Sequence, residues 1–445
     1  MRDAAVAIGA LSSCGRSLIE DGSERQEAGR VMGKEEYRFA LSHYGHAVAQ
    51  MRKVLSAGDG RSVEKGKTDL RKALVGCLLV ICFESLQGNY VQALMHAVSG
   101  NQLLQGWLSK QTYSDPRKEG LSSPRPEIIE DELILAFGRL DLQVMAYVDL
   151  RPASAHEVLM REGDETILHM PKVFKDVDEA RLYWELVQRR SSHFIAMVAA
   201  KSASAGKAVP TTKIDLGLGE EAVSFHAESN ISGSLPAVFR EGGEGMPLEY
   251  RKYRSEIRRW FSAFTPFYAS LSKFHDERSW TAASLLQIHA LTSEIMLLSS
   301  LFGTESSLDE FLPEYKEVVE LARQISESRY FQAQKFKFDL GIVNPLRMVG
   351  KWCRDGKTRR ETIRVLRDGK VREGLYDGLI MSWVQEWVMG LEEEGLEDGK
   401  IREEMRWRVT GVRLDCLRRR AEVDAERLGR RADGTKDVRG TVITW

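Results

Sequence analysis

Proline is scarce, 11 in 445 residues. Few breakers, with Leu, Ala, Arg and Glu abundant, favour helix over strand. Cysteine is also sparse. Cys14, Cys77, Cys82, Cys353 and Cys416 are scattered, odd in number, and no two stand three positions apart. That excludes a disulfide framework and any C-x-x-C zinc spacing. Cys77 and Cys82 lie roughly 140° apart on a helix and do not pair. They read as small packed residues in a reducing compartment. An excess of charge of one sign is missing as well, the net being −1, so no global field draws nucleic acid or a membrane. Long apolar runs are absent. Ala73 to Phe83 is apolar but only half of the ~20 residues a span needs, which makes it a core helix. The opening MRDAAVAIGALSSCG is too short in its apolar run, and carries Asp3 too early, for a signal peptide.

What remains is a chain 43% apolar and 29% charged, the balance of a soluble globular protein with ample core. Helical periodicity dominates. Glu35 to Leu55 places Tyr37, Leu41, Tyr44, Val48, Met51 and Leu55 on one face. Gly58 and Gly60 break it. Lys67 to Leu86 is apolar all round its middle, which predicts enclosure, and Gly88 ends it. Tyr90 to Leu108 follows closely, and short loops predict antiparallel packing. Its opening G-N-Y-x-x-A-L-x-H is like half a tetratricopeptide repeat, without a second copy. Further helices are expected over Glu127–Asp149, Asp176–Ala200, Glu249–His275 (divided or kinked at Pro266), Trp280–Leu301, Leu308–Phe338, Ile380–Leu391 and Glu403–Arg427. The last is arginine-rich with interspersed acids and reads as a solvated, salt-bridged helix. Only Thr441 to Trp445 looks like strand. The expected fold is all-α, an array of antiparallel helix hairpins with long irregular loops. Residues 1–201 and 249–445 form its helical halves, and the Gly/Ser/Pro-containing segment 202–248 is a flexible boundary.

Catalytic signatures are missing. Gly66-Lys67-Thr68 and Gly356-Lys357-Thr358 spell G-K-T, but the first glycine of a phosphate loop is one place off and no buried strand precedes either. Gly217 to Ala222 fits a loose dinucleotide pattern with no strand–helix unit around it. Ser270 to Lys273 spells S-x-x-K without the elements that accompany it in acyl-transfer enzymes. His43 and His46 are one helical turn apart but lack a third ligand. Glu84, Arg139 and Asp141 lie in apolar stretches, where buried charges more often tie helices than catalyse. The aromatic run Tyr250, Tyr253, Trp260, Phe261, Phe264, Phe267 and Tyr268 reads as a core face. We expect no enzyme, and no catalytic, cofactor, metal or DNA-binding residues in this chain.

Four blocks recur in a telling order: AAVAIGAL near the start, CFESLQGN from Cys82 to Asn89, AFGRLDLQ from Ala136 to Gln143, and GIVNPL with KWCRDGKTRRETIRVL and REGLYDG from Gly341 to Gly378. Together they resemble the regulatory domain of fungal zinc-cluster transcription factors. The resemblance implies an all-helical regulatory module in the nucleus, with partners in the transcription machinery, self-association or a small-molecule effector, and no membrane. The family's six-cysteine cluster and basic linker are not in this sequence, through truncation or loss. Zinc and DNA binding therefore belong to a missing domain. Within the closing block, Pro345 starts a helix, Asp355-Gly356 ends it, and Thr358 with Glu361 forms a capping box for the next. Ile363, Leu366 and Val371 supply apolar contacts, and Cys353 is a packed residue. The alternative reading is a helical protein-interaction scaffold unrelated to transcription.

Overall fold

The computed structural model describes residues 2–19, 26–56, 63–146, 149, 151–204, 211–215, 223–226, 246–272, 275–302, 304–332, 336–369, 371–415 and 420–444. The chain is mainly helical and divides into two compact units, Met1–Ser114 with Ser122–Val144, and Asp115–Leu121 with Met145–Trp445. The division falls after Val144, and most of the expected segment 202–248 lies outside the described residues.

The first unit holds α1 (Arg2–Ile19), α2 (Gln26–Ser56), α3 (Val63–Gln87), α4 (Tyr90–Leu108) and α5 (Asp131–Met145). Ala7 of α1, Ala40 of α2 and Phe83 of α3 form one enclosed cluster, with Tyr44 stacked on Phe83 at 4.1 Å. Small residues line the meeting faces, so the helices approach closely and large side chains are displaced outward. This corrects the expected face of α2: Ala40 and Ala47 are buried, whereas Tyr37 and Leu41 are exposed. The expected all-round enclosure of α3 is corrected too. Leu74, Val80, Ile81 and Phe83 are buried, but Leu78 and Leu79 are only half-buried. Gly88, at φ 81°, makes the left-handed turn that closes α3 and lets α4 begin. Gly100 lets α4 meet the ring of Phe137 on α5, which a methyl group there would strike.

The second unit holds α6 (Ala153–Leu159), α7 (Asp164–Leu168), α8 (Val177–Ser204), α9 (Leu248–Ser270), α10 (Glu277–Ser299), α11 (Leu312–Ser326), α12 (Arg329–Gln332), α13 (Val343–Trp352), α14 (Gly356–Gly369) and α15 (Gly378–Glu393). Its core joins α8 and α9 through Trp184, Phe194, Tyr253, Trp260 and Phe264. Trp260 stacks on Phe264 at 4.4 Å and meets Trp184 at 4.9 Å, so the aromatic run is core. Arg190 of α8, itself buried, grips the carboxylate of Glu256 on α9 with two hydrogen bonds of 2.8 Å. Pro266 does not divide α9, which continues to Ser270. α10 has the length and apolarity of a membrane span, yet Ala283, Ile288, Ala290 and Leu297 are fully enclosed in the core. The single helix expected over 308–338 is broken into a 3₁₀ turn (Glu305–Phe311), α11, α12 and a short strand, β3.

The all-α expectation fails at the strands. β1 (Thr211–Asp215) and β2 (Val223–His226) lie in the stretch expected to be irregular, and β3 (Phe336–Lys337), β4 (Arg372–Glu373) and β5 (Tyr376–Asp377) form a small sheet. β6 (Leu396–Glu397) and β7 (Lys400–Ile401) make a short hairpin. The expected helix over 403–427 does not form. It is β8 (Trp407–Asp415) and β9 (Arg420–Arg430), which with β10 (Lys436–Thr444) complete a five-stranded sheet ordered β10-β9-β8-β1-β2. The period is two: Ala421, Val423 and Ala425 are buried, while Glu422, Asp424 and Glu426 alternate with them. The charges expected on a solvated helix pair across strands instead, Arg413 with Glu422 and Lys436 with Glu426.

Replacing Ile81 with Asp should unfold the first unit, because an unpaired buried charge costs several kcal/mol. Leu78→Asp, on the half-buried side, should lower the melting temperature much less. Thermal melts followed by circular dichroism compare the two, and equal melting would disprove the sidedness of α3.

Candidate functional site

In the first unit, Glu84 and Asp141, two of the charged residues singled out by sequence, act as ties. Glu84 accepts from the hydroxyl of Tyr44 on α2 and from Nδ2 of Asn89 at 2.8 Å. It thus joins α2 to the α3–α4 turn. Burial, then the Glu84 carboxylate, pushes the Tyr44 hydroxyl well above its ordinary value. Asp141 of α5 accepts from the Asn101 amide of α4 at 3.2 Å, and Arg139 lies on α5 beside it in sequence. His43 faces Asp3 of α1 at 3.0 Å, and the His43 and His46 rings stand 6.5 Å apart. Among the described residues no group of three His, Cys, Asp or Glu could hold a metal.

Gly66-Lys67-Thr68 lies inside α3, not in a loop. Gly217 to Ala222 and Lys273 lie outside the described residues, and the Ser270 hydroxyl donates to the carbonyl of Phe267. Burial pushes the thiols of Cys77 and Cys353 up to about 11 and that of Cys82 to about 12, so none is a thiolate nucleophile near neutral pH.

The closing block assembles into a knot in the second unit. β4 and β5 pair antiparallel around Gly374, which adopts φ 55°, and β3 joins them parallel. This places Glu373 under the first turn of α13. Its buried carboxylate accepts from the backbone N–H groups of Gly341 (3.1 Å), Ile342 (2.8 Å) and Val343 (2.8 Å). A helix N-terminus leaves these donors open and carries partial positive charge, so a carboxylate satisfies both needs. Gly341 is required because a Cβ there would collide with that carboxylate. Burial pushes Glu373 up, opposed by the amides and by Lys337. Asp377, four residues on, caps α15 through the N–H groups of Leu379 (3.0 Å) and Ile380 (3.2 Å). Asp355 caps α14 through the N–H and hydroxyl of Thr358. This corrects the expected Thr358–Glu361 capping box: the cap lies one turn earlier, and Glu361 pairs with Arg364 instead.

Beside the knot runs a chain of buried charges of alternating sign. Arg408 of β8 meets Glu305 at 2.9 Å, Glu305 meets Arg354 at 3.2 Å, Arg354 meets Glu392 of α15 at 3.1 Å, and Glu392 meets Arg359 of α14 at 2.6 Å. Glu392 also accepts the backbone N–H of Trp407 at 2.8 Å, while Arg354 donates to the Lys351 carbonyl at the end of α13. Burial pushes Glu305 up, but Arg354 and Arg408 outweigh it and hold the carboxyl below its usual range. Sequence reasoning missed this chain because residues 305, 354, 359, 392 and 408 share no spacing. A second buried line was missed for the same reason: His156 Nε2 lies 3.4 Å from Asp149, and His156 Nδ1 lies 3.1 Å from His193 Nδ1.

Chemically these groups pair with one another, although Arg354 Nε and Arg359 Nη2 are buried without a hydrogen-bond partner. Carboxylates accept from amides and guanidiniums that belong to other elements, which locks strand, helix and turn into one register. No family model, no curated protein and no solved structure matches the chain.

Two outcomes test the site. Glu392→Gln leaves Arg354 and Arg359 short of their carboxylate and should cost about 3–5 kcal/mol. Glu393→Gln, at the half-exposed pair with Arg360, should cost under about 1 kcal/mol. Denaturant titrations that found equal costs would refute the buried chain. His289 of α10 supplies the second. Burial pushes it down to about 4, aided by Arg181 and opposed by hydrogen bonds to the backbone at Gly341 and Leu340. The folded protein therefore binds fewer protons than the unfolded chain between about 6.5 and 4, and stability falls as pH drops through that window, by roughly 3 kcal/mol at its acid end. His289→Gln should flatten that part of the stability profile measured by denaturant melts at each pH.

Proposed function

We propose that this chain is the regulatory module of a transcription regulator, acting through protein or effector contacts and not by catalysis. The reading rests on the ordered blocks that resemble the regulatory domain of the fungal zinc-cluster family. What supports it most is the part played by the closing block: Gly341, Arg354, Asp355, Arg359, Glu373 and Asp377 each serve as a cap, a close approach or a buried ion pair. Signature residues spent on helix joints suit a module recognised by its fold. The module works in the nucleus, with transcription-machinery proteins, a further copy of itself or a small-molecule effector as partners. Any sequence-specific DNA contact comes from a domain outside this sequence.

The helices are organised as antiparallel hairpins on this reading. Support comes from α14 and α15, where Arg359 meets Glu392 and Arg367 meets Glu386, so that position rises along one helix as it falls along the other.

Fusing the chain to an unrelated DNA-binding domain tests the proposal. The fusion should change reporter transcription severalfold relative to the DNA-binding domain alone, and Glu392→Gln should abolish the change. A folded fusion that leaves the reporter untouched overturns the reading.

A further inference from the structure

The five-stranded sheet ends on β10, and among the described residues no strand lies outside it. An edge strand presents a row of unpaired backbone donors and acceptors, and proteins usually blunt such edges with proline, charge or bulges. β10 has no proline. Its one irregularity against β9 lies between Lys436 and Val438, and from Gly440 to Thr444 it carries no charge. Val438 and Val442 are both about half exposed, at 55% and 51%. They share one face of the sheet with Gly440 between them, opposite Glu426, Asp424 and Glu422 of β9.

We propose that this edge pairs with the β10 of a second copy of the chain, antiparallel about a twofold axis at Gly440. The register follows from the sequence of the strand. With Gly440 facing Gly440 of the other copy, Val438 faces the other copy's Val442, and Val442 faces its Val438. Arg439 then faces Thr441, and Asp437 faces Ile443, so no like charges meet. The exposed valines cover each other, and the two sheets join into one of ten strands. Arg439 is already held on its own copy by Glu394 at 2.8 Å and by the Trp407 ring, which keeps its charge away from the seam. A twofold contact uses the same patch on both copies, and this patch is self-complementary in that sense. The inference concerns the β10 edge alone and stands apart from the transcription reading.

Sedimentation of the purified chain over a concentration series tests it. The parent should show a monomer–dimer equilibrium. Val442→Lys places a charge against Val438 of the other copy and should weaken dimerisation about tenfold or more, and Val438→Glu should do the same. Both sites are exposed, so melting temperatures should stay near the parent's. Mixing the two variants sets the introduced lysine of one copy against the introduced glutamate of the other. It leaves Val438 against Val442 at the second position, and should restore the dimer. A parent monomeric throughout the series overturns the proposal, as does a dimer indifferent to both substitutions. A mixture no tighter than either variant alone overturns the register.

Discussion

The second unit depends on neutralising charge away from water. Arg408, Glu305, Arg354, Glu392 and Arg359 alternate in sign from part-buried Arg408 inward, and removing Glu392 would strip Arg359 of its carboxylate and leave Arg354 with Glu305 alone. The chain joins a 3₁₀ turn, α13, α14, α15 and β8, elements whose apolar contacts alone would tolerate sliding. Charge pairs with fixed forks of hydrogen bonds do not slide. Apolar burial supplies the bulk of the stabilisation, and the ionic chain supplies the register.

The same logic recurs at smaller scale in the capping carboxylates. Glu373, Asp377 and Asp355 each answer the open donors of a helix that begins a few residues from a tight turn. Glu373 differs because it reaches its helix through a strand pair and not from the neighbouring residue. A short sheet of two-residue strands has little stability of its own. Here it is held by the carboxylate it delivers to α13, and α13 in turn is capped only because that sheet forms.

The likeness to a regulatory domain and the geometry of the closing block bear on different questions. The likeness bears on the function proposed for the chain. The geometry concerns why such residues stand where they do, and each has a mechanical reason independent of any partner. Among the described residues no strand covers the outer edge of β10, which lies outside the knot.

Much of the helical architecture was legible in the sequence, because apolar residues repeating every 3.6 positions place one face of a helix against the core. The turn at Gly88, the core identity of Trp260 and Phe264, and the structural use of Glu84 and Asp141 were legible for similarly local reasons. The face of α2 was not, since its packing selects alanines that hydropathy reads as weak. The sheet of β8, β9 and β10 was not, because alternating Arg and Glu with small apolar residues satisfies a salted helix and a half-buried strand almost equally. What decided between them was a neighbour far along the chain: Glu392 accepting the Trp407 N–H, and Val388 and Leu391 packing on Trp407 and Ala425. Local period determined where helices run, and only tertiary structure determined which charges are buried, because a buried charge is defined by its partner and not by its place in the sequence.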